Sequence, residues 1–166
     1  MTVYFFIILF VCALDQFTKL YAMDFIANST GLTVETLRQG ASVPIIDKVL
    51  NFTYIENDGM SFGLLDDKRW IFMSLSVIGI LLMIGYLIYI KGKEKMLSFA
   101  LALVIGGGIG NMFDRISLGY VVDFIDVCCF DFWMWTFNVA DSAICIGAGF
   151  VILALLLDYK QEKKLK

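Results

Sequence analysis

The sequence predicts a membrane all-α fold: four transmembrane helices with a small extracytoplasmic β-sheet, in one domain over residues 1–166. Three observations carry this reading. Of the 166 residues, 60% are hydrophobic and 17% charged, against about 45–50% apolar and about 25% charged in a soluble domain. Mean hydropathy is +0.81. The apolar residues also fall into four long blocks, each near the roughly 20 residues that cross a bilayer as a helix.

The first block, Met1 to Leu14, has no charged side chain, and its apolar pattern runs past Asp15 and Lys19 to Met23. We place a span over 3–23. It lacks a positive leading region and a small-residue cleavage site, so it reads as a retained span rather than a cleaved signal peptide. Residues 24–69 form the extracytoplasmic region, the only part with soluble character. Within it Val49 to Ile55 is rich in β-branched and aromatic residues, as strands are, and Pro44 suits a strand edge. The second span covers 70–90, where Ile71 to Ile90 is 20 residues without a charge. The third covers 96–113, again uncharged. The fourth covers 134–157, inside a 26-residue run from Phe132 to Leu157 whose one charge is Asp141. A soluble helical bundle would need a polar face on each helix, and the second block has none.

Orientation follows from Lys and Arg near the membrane. The Lys91–Lys95 loop and the Lys160–Lys166 tail hold seven of the 13 basic residues. With four spans they share one side with the N-terminus, which is therefore cytoplasmic. The connection at 24–69 and the stretch Arg115–Asp131 face the other side.

Composition also removes whole classes of function. Disordered chains are charged and poor in apolar residues. A net charge of −3 without a basic stripe excludes nucleic acid as partner. No histidine is present, which removes the Ser-His-Asp triad and the HExxH zinc site. Of the four cysteines, Cys12 and Cys145 sit inside spans and Cys128 and Cys129 are adjacent; no Cys-x-x-Cys pair supports a metal site. They read as small buried hydrophobes.

Charges at membrane depth are costly and usually face the bundle interior. Four polar clusters stand out, all toward the outer side. Asp15 and Lys19, spaced i,i+4, share a helix face; they either pair with each other alone or belong to a larger polar site. Asn57 lies beside Gly59 and Gly63, in a stretch that reads as a turn or as the presentation of an amide. Gly106, Gly107, Gly108 and Gly110 precede Asn111, Asp114 and Arg115. These glycines permit either close helix packing or close approach of a ligand. Arg115 either pairs with Asp114 or holds a lipid phosphate through its planar fork.

The fourth cluster is Asp123, in an apolar run after helix three, with Asp141 in helix four, where Asn138 shares its face. Counted from Phe132, Asp141 lies roughly 13 Å below the helix start. Two carboxylates in a partly dry site share one proton and titrate as a unit. One then activates water while the other polarises a carbonyl. The alternative is two separately satisfied acids, for instance Asp123 with Arg115.

Taken in order, Asp15-Gln16-x-Thr18-Lys19, Asn57-x-Gly59-x-Ser61-Phe62, Gly107-Gly108-x-Gly110-Asn111-x-x-Asp114-Arg115-x-x-x-Gly119-x-Val121-Val122-Asp123-Phe124 and Phe137-Asn138-x-Ala140-Asp141 resemble lipoprotein signal peptidase, the bacterial type II signal peptidase. The resemblance spans nearly the whole chain, and the third block is its most specific part. It implies a membrane aspartic endopeptidase that cuts diacylglyceryl-modified prolipoproteins just before the lipidated cysteine. Asp123 and Asp141 match the catalytic dyad. Asn57, Gly108, Asn111, Asp114, Arg115, Asn138, Asp15 and Lys19 match positions that support the dyad or contact substrate. The resemblance further implies a short surface helix beside the site, globomycin-type peptide inhibitors, membrane lipid as the surrounding partner, and location in the bacterial inner membrane. Because a shared proton supplies both acid and base, no metal or other cofactor is expected, and because one chain holds the whole site, a monomer is expected. Ser61 departs from the family's usual Ala, and Cys128-Cys129-Phe130-Asp131 falls where the family varies.

Two other classes compete. A transporter would distribute its acids through the membrane depth, whereas these gather near one surface. A scaffold would use the glycines for packing but gives no reason for the Asn and Asp residues around them.

Overall fold

The structure is a computed structural model and describes residues 1–58, 69–128 and 135–165. Four helices in it are long and apolar enough to cross a membrane: α1 (Thr2–Thr30), α2 (Arg69–Ile90), α3 (Lys95–Ser117) and α4 (Val139–Leu165). A four-stranded antiparallel sheet in the order β1-β2-β3-β4 joins them, with β1 at Ser42–Ile46, β2 at Leu50–Asn57, β3 at Val121–Val127 and β4 at Trp135–Phe137. The expected membrane helical fold with a small sheet is the one observed.

The helix α1 runs seven residues beyond its expected end. At 1.5 Å per residue it is about 43 Å long, more than the roughly 30 Å of hydrocarbon it has to cross. Packing explains the excess. Ile26 is fully buried against Tyr54 of β2 and Val122 of β3. Phe25 meets Phe52 edge-on at 5.9 Å between ring centroids, and Phe52 meets Phe124 at 5.5 Å, a favoured arrangement for aromatic quadrupoles. Residues 24–30 thus continue the helix and pack against the sheet. The helix stops at Gly31, whose φ of 72° is left-handed and whose N–H bonds the Ala27 carbonyl, as glycine permits without a Cβ penalty.

The expected strand at Val49–Ile55 is β2, and Pro44 lies on the edge strand β1, where its missing N–H harms no ladder. The strands β3 and β4 were not expected. The run after helix three is β-branched enough to be a strand, but only pairing with β2 shows it as one: Ile55 stands opposite Asp123 and Asn57 opposite Val121. Extension of Trp135–Phe137 along β3 also moves the start of helix four from 134 to Val139. Among the described residues the outer connection has one short helical turn, Val34–Thr36, a 3-10 helix in which the Thr36 hydroxyl accepts from the Thr33 N–H. The turn expected around Gly59, Ser61 and Gly63, and Cys129, lie outside the described residues.

Helix α3 is the most enclosed of the four and packs on the other three. Its glycines explain how. A Cβ on Gly106 would meet the Ile8 carbonyl of α1 at 3.0 Å, and one on Gly107 would collide with the Ala140 carbonyl at the start of α4. Small residues let helix backbones approach in this way. One expectation fails here: Cys145 is exposed on the outside of the helices rather than buried, while Cys12 is half-buried.

Candidate active site

The polar side chains expected to matter converge where α1, the C-terminal part of α3 and the start of α4 meet β2 and β3. Asp141 sits in the first turn of α4 rather than well below its start, because β4 occupies the residues before it. Asn138 precedes that helix as its cap. The Asp141 N–H donates to Asn138 Oδ1 at 2.9 Å, and the Asn138 N–H donates to Asp141 Oδ2 at 3.3 Å. This reciprocal cap satisfies helix-end donors that have no intrahelical partner. It also fixes the Asp141 rotamer.

Asp123 projects from β3, 2% exposed. Its Oδ1 accepts from Asn138 Nδ2 at 2.6 Å and its Oδ2 from Asn57 Nδ2 at 2.7 Å. Asp141 Oδ1 accepts from Asn111 Nδ2 at 2.7 Å. Asn138 therefore touches both carboxylates, one through its amide and the other through its cap. Burial pushes the Asp123 carboxyl up to about 6; the Asn57 and Asn138 amides and the Lys19 charge oppose the rise, and the Asp141 charge adds to it. The alternative of Asp123 satisfied by Arg115 is replaced by this pair of asparagine amides.

A buried ionic cluster lies behind the two aspartates. Lys19 Nζ donates to Asp15 Oδ2 at 2.8 Å, Asp114 Oδ2 at 2.7 Å and Asn111 Oδ1 at 3.0 Å, which uses all three ammonium hydrogens. Asp15 and Lys19 thus belong to a larger site. Because Lys19 and Asn138 Nδ2 both donate to Asn111 Oδ1, the Asn111 amide must aim its NH₂ at Asp141. The second oxygen of Asp15 accepts the Ala140 N–H at 2.8 Å, and Asp114 Oδ2 accepts the Val122 N–H at 3.1 Å. Gly110 makes room for this cluster, since a Cβ there would stand 2.7 Å from Asp15 Oδ2. Among the described residues no three acids or cysteines converge as a metal-binding set would; Asp15 and Asp114 converge on an ammonium.

Asp141 opens into a cavity of about 380 Å³ between α2, α3 and α4, lined also by Gly108, Asn111, Arg115, Ile80 and Ile144. Arg115 Nη1 reaches back to the Asn111 carbonyl at 3.4 Å. It also lines a neighbouring cavity of about 430 Å³ with Trp70, Met73 and Gly119. The sequence reading missed Gln16 as a member of the cluster. Its Nε2 donates to Asp114 Oδ1 at 2.7 Å, and at 3.3 Å to both Gly110 O and Asp15 Oδ2. The available signal was its place between Asp15 and Lys19 on the same turn.

Residues 7–157 match the family model described as signal peptidase (SPase) II. A bacterial membrane enzyme solved by the in meso method at 2.3 Å resolution is 32% identical, with a TM-score of 0.71 over 97% of this chain and 92% of that one. A second such structure, at 1.9 Å, is also 32% identical, with a TM-score of 0.68 over 94% of each chain.

Proposed function

Since the chain belongs to the signal peptidase II family of aspartic-type peptidases, we propose that Asp123 and Asp141 are its catalytic dyad and that it cuts diacylglyceryl-modified prolipoproteins just before the lipidated cysteine. The family itself makes this a bacterial membrane peptidase that removes lipoprotein signal peptides. The single observation that supports the dyad is Asn138, whose side-chain amide donates to the Asp123 carboxylate and whose backbone N–H donates to that of Asp141, the aspartate that opens into the cavity.

The chemistry follows from one proton shared by two acids. The ionised carboxylate takes a proton from a water as its oxygen attacks the scissile carbonyl carbon. The protonated partner gives its proton to the carbonyl oxygen, and a neutral gem-diol forms. Collapse breaks the C–N bond. The carboxyl that gained the water proton passes it to the leaving amine, and a diol hydroxyl returns a proton to the other. The net change is one peptide bond and one water converted to an acid and an amine. No cofactor is required by this scheme. Rate against pH is bell-shaped, because both too few and too many protons disable the pair.

The substrate's acyl chains hold its cysteine at the outer membrane surface, which matches a dyad at the outer ends of the helices. On this reading the chain lies in the inner membrane with both termini cytoplasmic and the site near the extracytoplasmic face. Lys91–Lys95, between α2 and α3, lies at the opposite end from the aspartates, as that orientation requires. Gly108 and Arg115, in the cavity wall, face the substrate; membrane lipid surrounds it; and globomycin-type peptides compete for the same space. One chain holds every group the scheme uses, so a monomer suffices.

The test is a gel-shift cleavage assay on a diacylglyceryl-modified prolipoprotein with Asp123→Asn and Asp141→Asn. Each substitution abolishes cleavage while the protein still folds. Full activity in either variant removes that residue from the dyad.

A further inference from the structure

The bonds behind the dyad have a symmetry that the proposed chemistry does not use. Asp15 Oδ1 holds the N–H of Ala140, the residue immediately before Asp141. Asp114 Oδ2 holds the N–H of Val122, the residue immediately before Asp123. The two holding carboxylates are tied to each other twice. Lys19 donates to both, at 2.8 Å and 2.7 Å, and the Gln16 amide donates to both, at 3.3 Å and 2.7 Å. Asp15 and Lys19 are fully buried and Asp114 nearly so. The α4 backbone before Asp141 and the β3 backbone before Asp123 are therefore linked through two carboxylates, one ammonium and one amide.

We propose that Asp15, Gln16, Lys19 and Asp114 are positioning residues that set the separation of Asp123 and Asp141. This rests on the dyad reading above. Two carboxylates at close range repel when both are ionised, and something must hold their backbones against that force. A strand and a helix start have no covalent reason to keep a fixed spacing. The cross-link supplies it from α1 and α3, elements that carry no dyad residue. Charge-assisted hydrogen bonds are short and directional, and in a buried, low-dielectric setting they are stronger than in water. Lys19 has a second hold on the site through Asn111 Oδ1, which orients the amide bound to Asp141.

The readout that separates positioning from mere structural support is the spacing of the two limbs of the pH–rate profile. That spacing reports the coupling between the carboxylates, and loss of folded enzyme scales the profile without changing it. Lost positive charge moves both limbs the same way; a widened dyad brings them together. The experiment measures kcat and KM against pH for wild type, Gln16→Ala and Lys19→Met, on the full-length enzyme in detergent with a diacylglyceryl-modified prolipoprotein. Gln16→Ala changes no charge and removes one of the two ties. We expect its limbs to approach each other and its kcat to fall on the order of tenfold, as sub-ångström to ångström misplacement does, with KM unchanged. Lys19→Met shows a larger narrowing together with a common shift. If Lys19→Met does not fold, Gln16→Ala decides alone. Limbs of wild-type spacing in Gln16→Ala overturn the proposal, as does a raised KM with unchanged kcat, which would make Gln16 a substrate contact. Failure of the dyad reading itself is seen separately, as cleavage by Asp123→Asn or Asp141→Asn.

Discussion

Asp123→Asn carries a stability prediction as well as the loss of activity. In the folded protein the Asp123 carboxyl is pushed from 3.8 up to about 6, chiefly by burial. Its folded pKa thus lies above its unfolded one. The native state keeps the proton longer as pH rises, so the stabilisation present below about pH 4 is lost as pH climbs through about 6. A shift of about two units corresponds to ~3 kcal/mol at ~1.4 kcal/mol per unit, of which about 2 kcal/mol falls between about pH 4.5 and about pH 7.5. Asparagine does not titrate. It also loses one bond, because the Asn57 and Asn138 amides both donate to Asp123 and an amide offers one oxygen; that offset is the same at every pH. The prediction is therefore a swing: relative to wild type, Asp123→Asn gains about 2 kcal/mol on going from about pH 4.5 to about pH 7.5. For a chain of this size the swing is roughly 4–8 °C in melting midpoint. Intrinsic-fluorescence melts of the detergent-solubilised proteins at the two pH values measure it. A pH-independent difference between the melts, or a swing of opposite sign, refutes the reasoning.

Further outcomes follow from the packing and from the cavity. Gly107→Ala places a methyl against the Ala140 carbonyl; overpacking of this kind costs about 1–3 kcal/mol. Because Ala140 adjoins Asp141, kcat falls too, while Gly85→Ala, which meets nothing within 4 Å, leaves melting and cleavage unchanged. Arg115→Ala raises KM more than it lowers kcat in the cleavage assay, since Arg115 lines the two cavities; an unchanged KM counts against a role for it at the substrate.

Much of the membrane architecture was legible in the residue order, because hydrophobic length is a one-dimensional property. Spans two and three end within a few residues of their expected places. The strand at Val49–Ile55 showed itself through β-branched and aromatic residues. The helix ends next to the sheet did not. α1 continues to Thr30 because Ile26 has a sheet to pack on, and α4 starts at Val139 because Trp135–Phe137 pairs with β3. Both are tertiary effects that no local pattern announces. The same holds at the site. Asp15 and Lys19 were visible as an i,i+4 pair, but their convergence with Asp114 depends on how α1 packs against α3. Gln16 stood in the first motif but was given no place in the site, because a single amide on a helix turn has many ordinary uses.

What the sequence by itself determined is therefore the inventory and its confinement: four spans, lysines clustered at one end of the bundle, and acids and amides gathered near the opposite end, with no histidine to serve as base. What only the tertiary structure decided is partnership. Which amide faces which carboxylate, and that two backbone N–H groups beside Asp123 and Asp141 are held by one ion-paired cluster, follow from α1, α3, α4 and β3 meeting at a point. Hydrogen bonds depend on distance and angle between groups up to 125 residues apart in the chain, and only the packed fold sets those.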